Sequence, residues 1–283
     1  PAPTYATVLP FVATASRNLL LDRLCGKPVP TQDGDTLVLE PRNVVHTGTV
    51  VESLKMLPIE SGDGFRITSR YVKGKHDDGG IYLTLENTII DNEGVVYAKV
   101  YSTTYNPGAR LSEQENPPDI IGIPEGQTAP TRAPDHIVRR EVTQQQVFSF
   151  QMSGDYELAD IDPRLGEVAG VGETVAHRLE TFGISARAIL AVVAAGDARK
   201  LALFGAQYSS PVHIGDSLEI RMWTSSHVTS NTREVVFQTL NAVTRKVSRY
   251  SCESPMACLV HAFRALWNAV SFALDAHAYN RSY

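Results

Sequence analysis

Residues 148–156 read FSFQMSGDY, residues 157–175 read ELADIDPRLGEVAGVGETV, and residues 176–195 read AHRLETFGISARAILAVVAA. The pattern predicts a strand over 142–152 that runs out near Gly154 and Asp155, then a polar acidic loop, then a helix opening at His177. Backbone N–H groups at a helix start have no partner within the helix, and the peptide dipoles point their positive end there. Both ends of the loop can bring titratable groups to that helix terminus, so this segment is the first place to look for a site.

Away from this segment, composition narrows the choices. The chain has 283 residues and a net charge of −5, which gives no electrostatic case for nucleic acid. Cys25, Cys252 and Cys258 are an odd number without framework spacing, which fits a reduced compartment; Cys25 reads as a small buried apolar residue. The start shows no signal-peptide pattern, and the end, Asn-Arg-Ser-Tyr, is not a peroxisomal tripeptide, so the expected location is cytoplasmic. The apolar run 256–274 is interrupted by His261, Arg264 and Asn268 and reads as a buried or amphipathic helix rather than a membrane span. No histidine pair has metal-ligand spacing, and there is no glycine-rich phosphate loop or nucleophile elbow. Neither a metal nor a cofactor is implied.

In chain order, apolar residues at helical spacing predict a helix over 4–25, kinked at Pro10. Pro28, Pro30 and Gly34 mark a loop. Strands follow at TLVLEP (36–41), VVHTGTVVESLKML (44–57) and FRITSRYVKGK (65–75), and a hairpin turns at Asn92-Glu93-Gly94. A helix followed by antiparallel strands is an α+β pattern. Residues 111–136, rich in proline, read as a linker. The second half then repeats the order of the first, with strands at LALFGAQYSS (201–210), DSLEIRMWTS (216–225) and EVVFQTLNAVT (234–244). This predicts two repeats, 1–110 and 137–250, and a tail, 251–283, in which a helix replaces the strand that would complete the second sheet.

Three stretches carry a family resemblance: SGDYELADIDP (153–163), AHRLETFGISARAIL (176–190) and FGAQYSSPVHIGDSLEIRMW (204–223). Together they resemble the MaoC-like hydratases, the (R)-specific or type 2 enoyl-CoA hydratases. The resemblance covers about 3–247. It implies an α+β double hot-dog fold, two antiparallel sheets each with a central helix, in which the first repeat is degenerate, lacks its first strand and loop, and the second bears the site.

The site motif departs from the family. Where the family reads Gly-Asp-x-Asn-Pro-Leu-His-x-Asp-Pro, this chain reads Gly154-Asp155-Tyr156-Glu157-Leu158-Ala159-Asp160-Ile161-Asp162-Pro163. The resemblance therefore implies that Asp155 keeps the catalytic aspartate position and that Asp160 stands where the catalytic histidine would be. At the helix start the family's His-Gly, whose backbone N–H helps hold the thioester oxygen, becomes His177-Arg178. Two close carboxylates in a partly buried site share a proton and can supply both a general acid and a general base. Arg178 would favour their charged forms, and His177 can replace the lost imidazole if its ring faces the loop. Tyr156, Glu157, Arg178 and Gly183 are the substrate-binding candidates, with Tyr156 and Glu157 as pocket wall, and Gly183 also reads as a site of close helix–sheet packing. Asp162 and Glu180 read equally well as solvent-facing, His46 as structural, and His213 as a turn residue. Leu179, Phe182, Ala186, Ile189, Leu190 and Val193 read as core.

The resulting expectation is a lyase of the dehydratase or hydratase kind with a remodelled site. It would act on a polyketide-like or acyl-thioester intermediate of secondary metabolism, by dehydration, isomerisation or cyclisation. The alternative is a non-catalytic hot-dog protein that binds a ligand or partner. The expected partner is a small molecule, carried as a coenzyme A or carrier-protein thioester, with no nucleic acid or membrane; monomer and homodimer are both allowed.

Overall fold

Alternating apolar and polar residues make most of the structure, and the alternation places one face of each strand against a shared core. A computed structural model of the chain describes residues 2–10, 28–30, 36–38, 44–60, 64–77, 79–109, 129–153, 175–229, 232–244 and 264–266. The strands are β1 (Pro28–Pro30), β2 (Thr36–Val38), β3 (Val45–Ser53), β4 (Phe65–Asp77), β5 (Gly80–Asp91), β6 (Val96–Pro107) and β7 (His136–Glu141). Helix α1 (Gln144–Gln151), β8 (Val175–Ala176) and helix α2 (Arg178–Val193) follow. The chain continues with β9 (Leu201–Gln207), β10 (Val212–His213), β11 (Ser217–Thr229), β12 (Thr232–Asn241) and β13 (Arg264–Leu266).

Nine strands form one sheet in the order β4-β5-β6-β3-β9-β13-β12-β11-β7, with every neighbouring pair antiparallel. The two halves meet where β3 pairs with β9, from Gly48↔Gln207 to Glu52↔Leu203. A Cβ on Gly48 would stand 3.3 Å from the Ala206 carbonyl oxygen, so a side chain there would press on the neighbouring backbone. One buried cluster spans the seam: Val51, Ile89 and Val100 from the first half share it with Phe182, Phe204 and Phe237 from the second. The Phe204 and Phe237 rings stack at 5.1 Å, and Phe182 lies 4.6 Å from Phe204. Helix α2 contributes Leu179, Phe182, Ala186, Ile189 and Leu190 as buried residues, as its spacing predicts, with Val193 half-buried against them.

Four expectations change. Residues 142–152 do not form a strand. Their strand is earlier, β7, and 144–151 is the helix α1. Phe148, Phe150 and Met152 alternate like a strand, but Thr143 and Gln146 form a reciprocal capping box that starts a helix, and Phe148 and Met152 are exposed. Pro28 and Pro30 lie in β1, which among the described residues pairs with β2 alone, a place where missing N–H groups are tolerated. At the amino end Pro3–Thr7 is a 3-10 helix, and 11–25 lie outside the described residues. In the tail, Arg264–Leu266 is a strand rather than helix: it pairs with β12 on one side and β9 on the other, in the slot where the sequence lacked a closing strand. Its neighbours' open hydrogen-bonding groups override the helical period of the local sequence. Among the described residues no helix is long and apolar enough to cross a membrane.

Arg132 and Asp135, just before β7, meet the sheet through a compact set of polar contacts. Trp223 Nε1 donates to the Arg132 carbonyl at 2.9 Å, and Asp135 accepts from the Thr224 N–H at 2.7 Å and its hydroxyl at 2.8 Å. The edge strand β7 is then pinned by Glu219 on β11, which is 6% exposed and accepts from Arg221 Nε at 2.7 Å and Arg139 Nη2 at 3.0 Å. The Arg221 hydrogen bond, against the opposing effect of burial and with help from Arg139, holds the Glu219 carboxyl below the usual range. A depressed folded-state pKa contributes stability above the unfolded carboxylate value, about 4.3, and loses it as pH falls through the folded value. Urea unfolding of Glu219→Gln should therefore show lower stability than the parent at pH 7 and a smaller loss between pH 5 and 3. Parallel pH curves for the two proteins would contradict this.

Candidate active site

The amino end of α2 is held from two sides. Just before it, β8 pairs with β10, Ala176 opposite Val212 and Val175 opposite His213. His177 is the N-cap: its Nδ1 accepts from the Leu179 N–H at 3.1 Å, and its carbonyl accepts from Glu180 at 3.0 Å and Thr181 at 3.3 Å. Three first-turn donors are thus satisfied by one residue. The His177 ring stacks on Phe150 of α1, with centroids 5.3 Å apart and planes 16° from parallel. In the neutral ring an accepting Nδ1 places the proton on Nε2, a tautomer assigned from the hydrogen bond. In that tautomer Nε2 carries a hydrogen-bond donor.

The Phe150–His177 contact also brings the carboxyl end of α1 beside the amino end of α2. The segment 154–174 therefore leaves and re-enters the described structure at neighbouring points. Asp155, Tyr156, Glu157, Asp160 and Asp162 fall in it and lie outside the described residues.

Next to these points is a cavity of about 690 Å³. Its walls come from α2 (Arg178 and Phe182), from the segment after β9 (Tyr208 and Ser209), and from β11 and β12 (Leu218 and Phe237). The volume suits a small organic ligand. Arg178 is on the wall, as its position at the helix start suggests. His213 also lines it, and its N–H donates to Asp216 Oδ2 at 2.9 Å in a turn closed by Gly215 at φ +91°. The turn reading of His213 thus holds, with a cavity face added.

His46 keeps a structural role and reaches the same wall. Its Nε2 lies 3.0 Å from both the Gly48 carbonyl oxygen and Thr49 Oγ1, and its ring meets Tyr208 edge-on at 5.2 Å. The Tyr208 N–H donates to the Thr47 carbonyl at 2.8 Å. The first half therefore positions part of the cavity of the second.

Two readings of α2 are corrected. Glu180 is 6% exposed, not solvent-facing. It sits in the first turn, where the helix dipole favours an anion and offsets part of the burial. Gly183 does not serve close packing, because a Cβ there would meet nothing within 4 Å. Tyr208, Ser209, Ser210 and Thr181 were not singled out from the sequence. The available signal was the polar run QYSSP at the end of an apolar strand, inside one of the three stretches that carry the resemblance.

Comparison with known families gives a match between residues 125–247 and the MaoC like domain. This part of the chain is a MaoC-like domain. Over 220 residues the chain is 29% identical to the peroxisomal multifunctional enzyme type 2 of Drosophila melanogaster, covering 77% of this chain and 35% of that protein. A probable dehydratase of Ajellomyces capsulatus is 29% identical over 227 residues, 78% of this chain and 59% of its own length. An enoyl-CoA hydratase of Mycobacterium tuberculosis is 31% identical over 197 residues, 69% of this chain and 65% of its own length. The chain thus spans less than two thirds of each of these relatives. Among solved structures, a MaoC-like dehydratase from Phytophthora capsici superposes with a TM-score of 0.70 at 21% identity, over 94% of this chain and 83% of that one. The fold is the α+β double hot-dog expected from the sequence, with its two antiparallel half-sheets joined edge to edge into one sheet and with a central helix, α2, among the described residues of the second half.

The capping role of His177 in this MaoC-like domain is open to direct measurement. His177→Ala should lower unfolding stability by about 1 kcal/mol, and His177→Asn, whose side chain also caps well, should restore most of it. Equal destabilisation by both would show that the ring stack, rather than the cap, fixes the helix start.

Proposed function

We propose that the MaoC-like domain is a lyase of the hydratase or dehydratase kind with a remodelled site, acting on an acyl thioester whose carbonyl rests at the amino end of α2. The observation that carries this is the position of Arg178, which is the first residue of α2 and stands on the cavity wall. An N–H at that helix position is not needed by the helix's own ladder. Together with the dipole and a guanidinium, it favours negative charge on a thioester oxygen. The names of the dehydratase of Ajellomyces capsulatus and the enoyl-CoA hydratase of Mycobacterium tuberculosis support the same reaction class.

Asp155 and Asp160 supply the proton transfers. In dehydration of a 3-hydroxyacyl thioester, one carboxylate removes the proton next to the carbonyl, and the electron pair becomes the new double bond. The hydroxyl leaves as water, taking its proton from the other, protonated carboxyl. Charge that builds on the thioester oxygen meets Arg178. Hydration is the same sequence reversed. Two carboxylates sharing one proton titrate as a unit, so the pair rather than either residue sets the pH dependence. Replacement of the family's histidine by Asp160 and of its glycine by Arg178 favours an intermediate other than a plain fatty-acyl chain, such as a polyketide-like thioester, and isomerisation or cyclisation would use the same groups.

Turnover of 3-hydroxyacyl coenzyme A and N-acetylcysteamine thioesters, followed by absorbance of the conjugated product, tests this. Asp155→Asn and Asp160→Asn should each lower kcat by about 100-fold or more. Undiminished turnover by the double variant would sink the acid/base assignment. A parent protein that binds such thioesters and turns over none of them would instead be the ligand-binding protein.

A further inference from the structure

The cavity wall holds two kinds of polar group. Some are satisfied by the fold. Ser185 Oγ donates to the Thr181 carbonyl at 2.9 Å and lies 2.9 Å from Thr239 Oγ1, from which it can accept. Others are not satisfied. The hydroxyl oxygens of Thr181, Ser209 and Ser210 are buried and have no hydrogen-bond partner among the described residues, and all three residues line this one cavity.

Buried hydroxyls without a partner are rare in folded proteins, and each lowers stability relative to an apolar side chain of the same shape. Valine would fill the space of Thr181, and alanine nearly that of either serine. Three such groups on one cavity, beside the apolar surfaces of Phe182, Leu218 and Phe237, point to partners that arrive with a ligand. Thr181 lies one helical turn after Arg178 and therefore on the same face of α2. Ser209 and Ser210 come from a different element, the segment after β9. The unsatisfied groups thus sit just beneath the cavity wall in two elements, starting one turn from the proposed thioester position, where a rotation about χ1 would turn each hydroxyl to a ligand.

We infer that the cavity selects an acyl chain bearing oxygen beyond the thioester, as keto or hydroxyl groups, and that Thr181, Ser209 and Ser210 are the residues that read those oxygens. This deepens the lyase reading and rests on it for the placement of the thioester. A hydrocarbon chain of the same length would leave the three hydroxyls buried and unpaired, which disfavours it. A site built to hydrogen-bond its ligand discriminates strongly against the analogue that lacks the polar group.

The test is calorimetric binding of probes that cannot lose water: the N-acetylcysteamine thioesters of hexanoic, 4-oxohexanoic, 5-oxohexanoic and 5-hydroxyhexanoic acids. The parent protein should bind at least one oxygenated probe about tenfold more tightly than the hexanoyl probe. The triple variant Thr181→Val, Ser209→Ala, Ser210→Ala should lose that preference while its unfolding midpoint stays equal or rises. Equal affinity for all four probes, no detectable binding of any, a preference unchanged in the variant, or a lower unfolding midpoint would overturn the inference. Binding is read without catalysis, so the two readings separate. Preference without turnover would sink the lyase and leave this inference standing; turnover without preference would do the reverse.

Discussion

The pairing of β3 with β9 is the constraint on which the rest depends. It turns two half-sheets into one sheet of nine strands and merges their apolar faces into one core. It also fixes where β9 ends, and the residues just beyond that end are a cavity wall. A register shift between His46 and Gly48 lies in the ladder of β3 with its other neighbour, β6, and the Thr47 carbonyl within it takes the Tyr208 N–H. The first half of the chain, without an assigned catalytic residue, therefore still shapes the cavity, by holding the backbone that carries Tyr208.

On the other side of the cavity the helix start is fixed by polar rather than apolar means. His177 satisfies three first-turn donors and stacks on Phe150, so α1, β8 and α2 meet at one point. The consequence for chemistry follows from the tautomer. A histidine whose Nδ1 accepts from the backbone carries its proton on Nε2 and is a donor there. A ring in that form can give a proton but not take one, so the base of the proposed reaction falls to the carboxylates of 154–174, whose two points of attachment this contact brings together.

Much of the sheet was legible in the sequence because alternation and turns are local. The hairpin at Asn92-Glu93-Gly94 is one case: Asp91 Oδ1 accepts from the Glu93 and Val95 N–H groups, and the strands on either side pair as the pattern predicts. Where local and non-local forces compete, the pattern misled. Phe148, Phe150 and Met152 alternate, yet the capping box at Thr143 and Gln146 was the stronger signal and was readable from residue types alone. Arg264–Leu266 looks helical by period and is drawn into the sheet by neighbours distant in sequence. Glu180 and Gly183 show the same limit at the site: burial of one and open space beside the other are set by packing between elements, which spacing along one helix does not contain. The unsatisfied hydroxyls belong to this class too, since a serine in a polar run looks alike whether or not it finds a partner.

The central claim is that an acyl thioester lies in this cavity with its carbonyl at the start of α2 and the two carboxylates over its reacting carbons. A crystal structure with a bound saturated acyl-thioester analogue tests this most directly. The account predicts the thioester oxygen within hydrogen-bonding distance of the Arg178 backbone N–H, with the Asp155 and Asp160 carboxylates beside the second and third acyl carbons. An analogue bound outside the cavity, or inside it with both carboxylates turned away from those carbons, would contradict it.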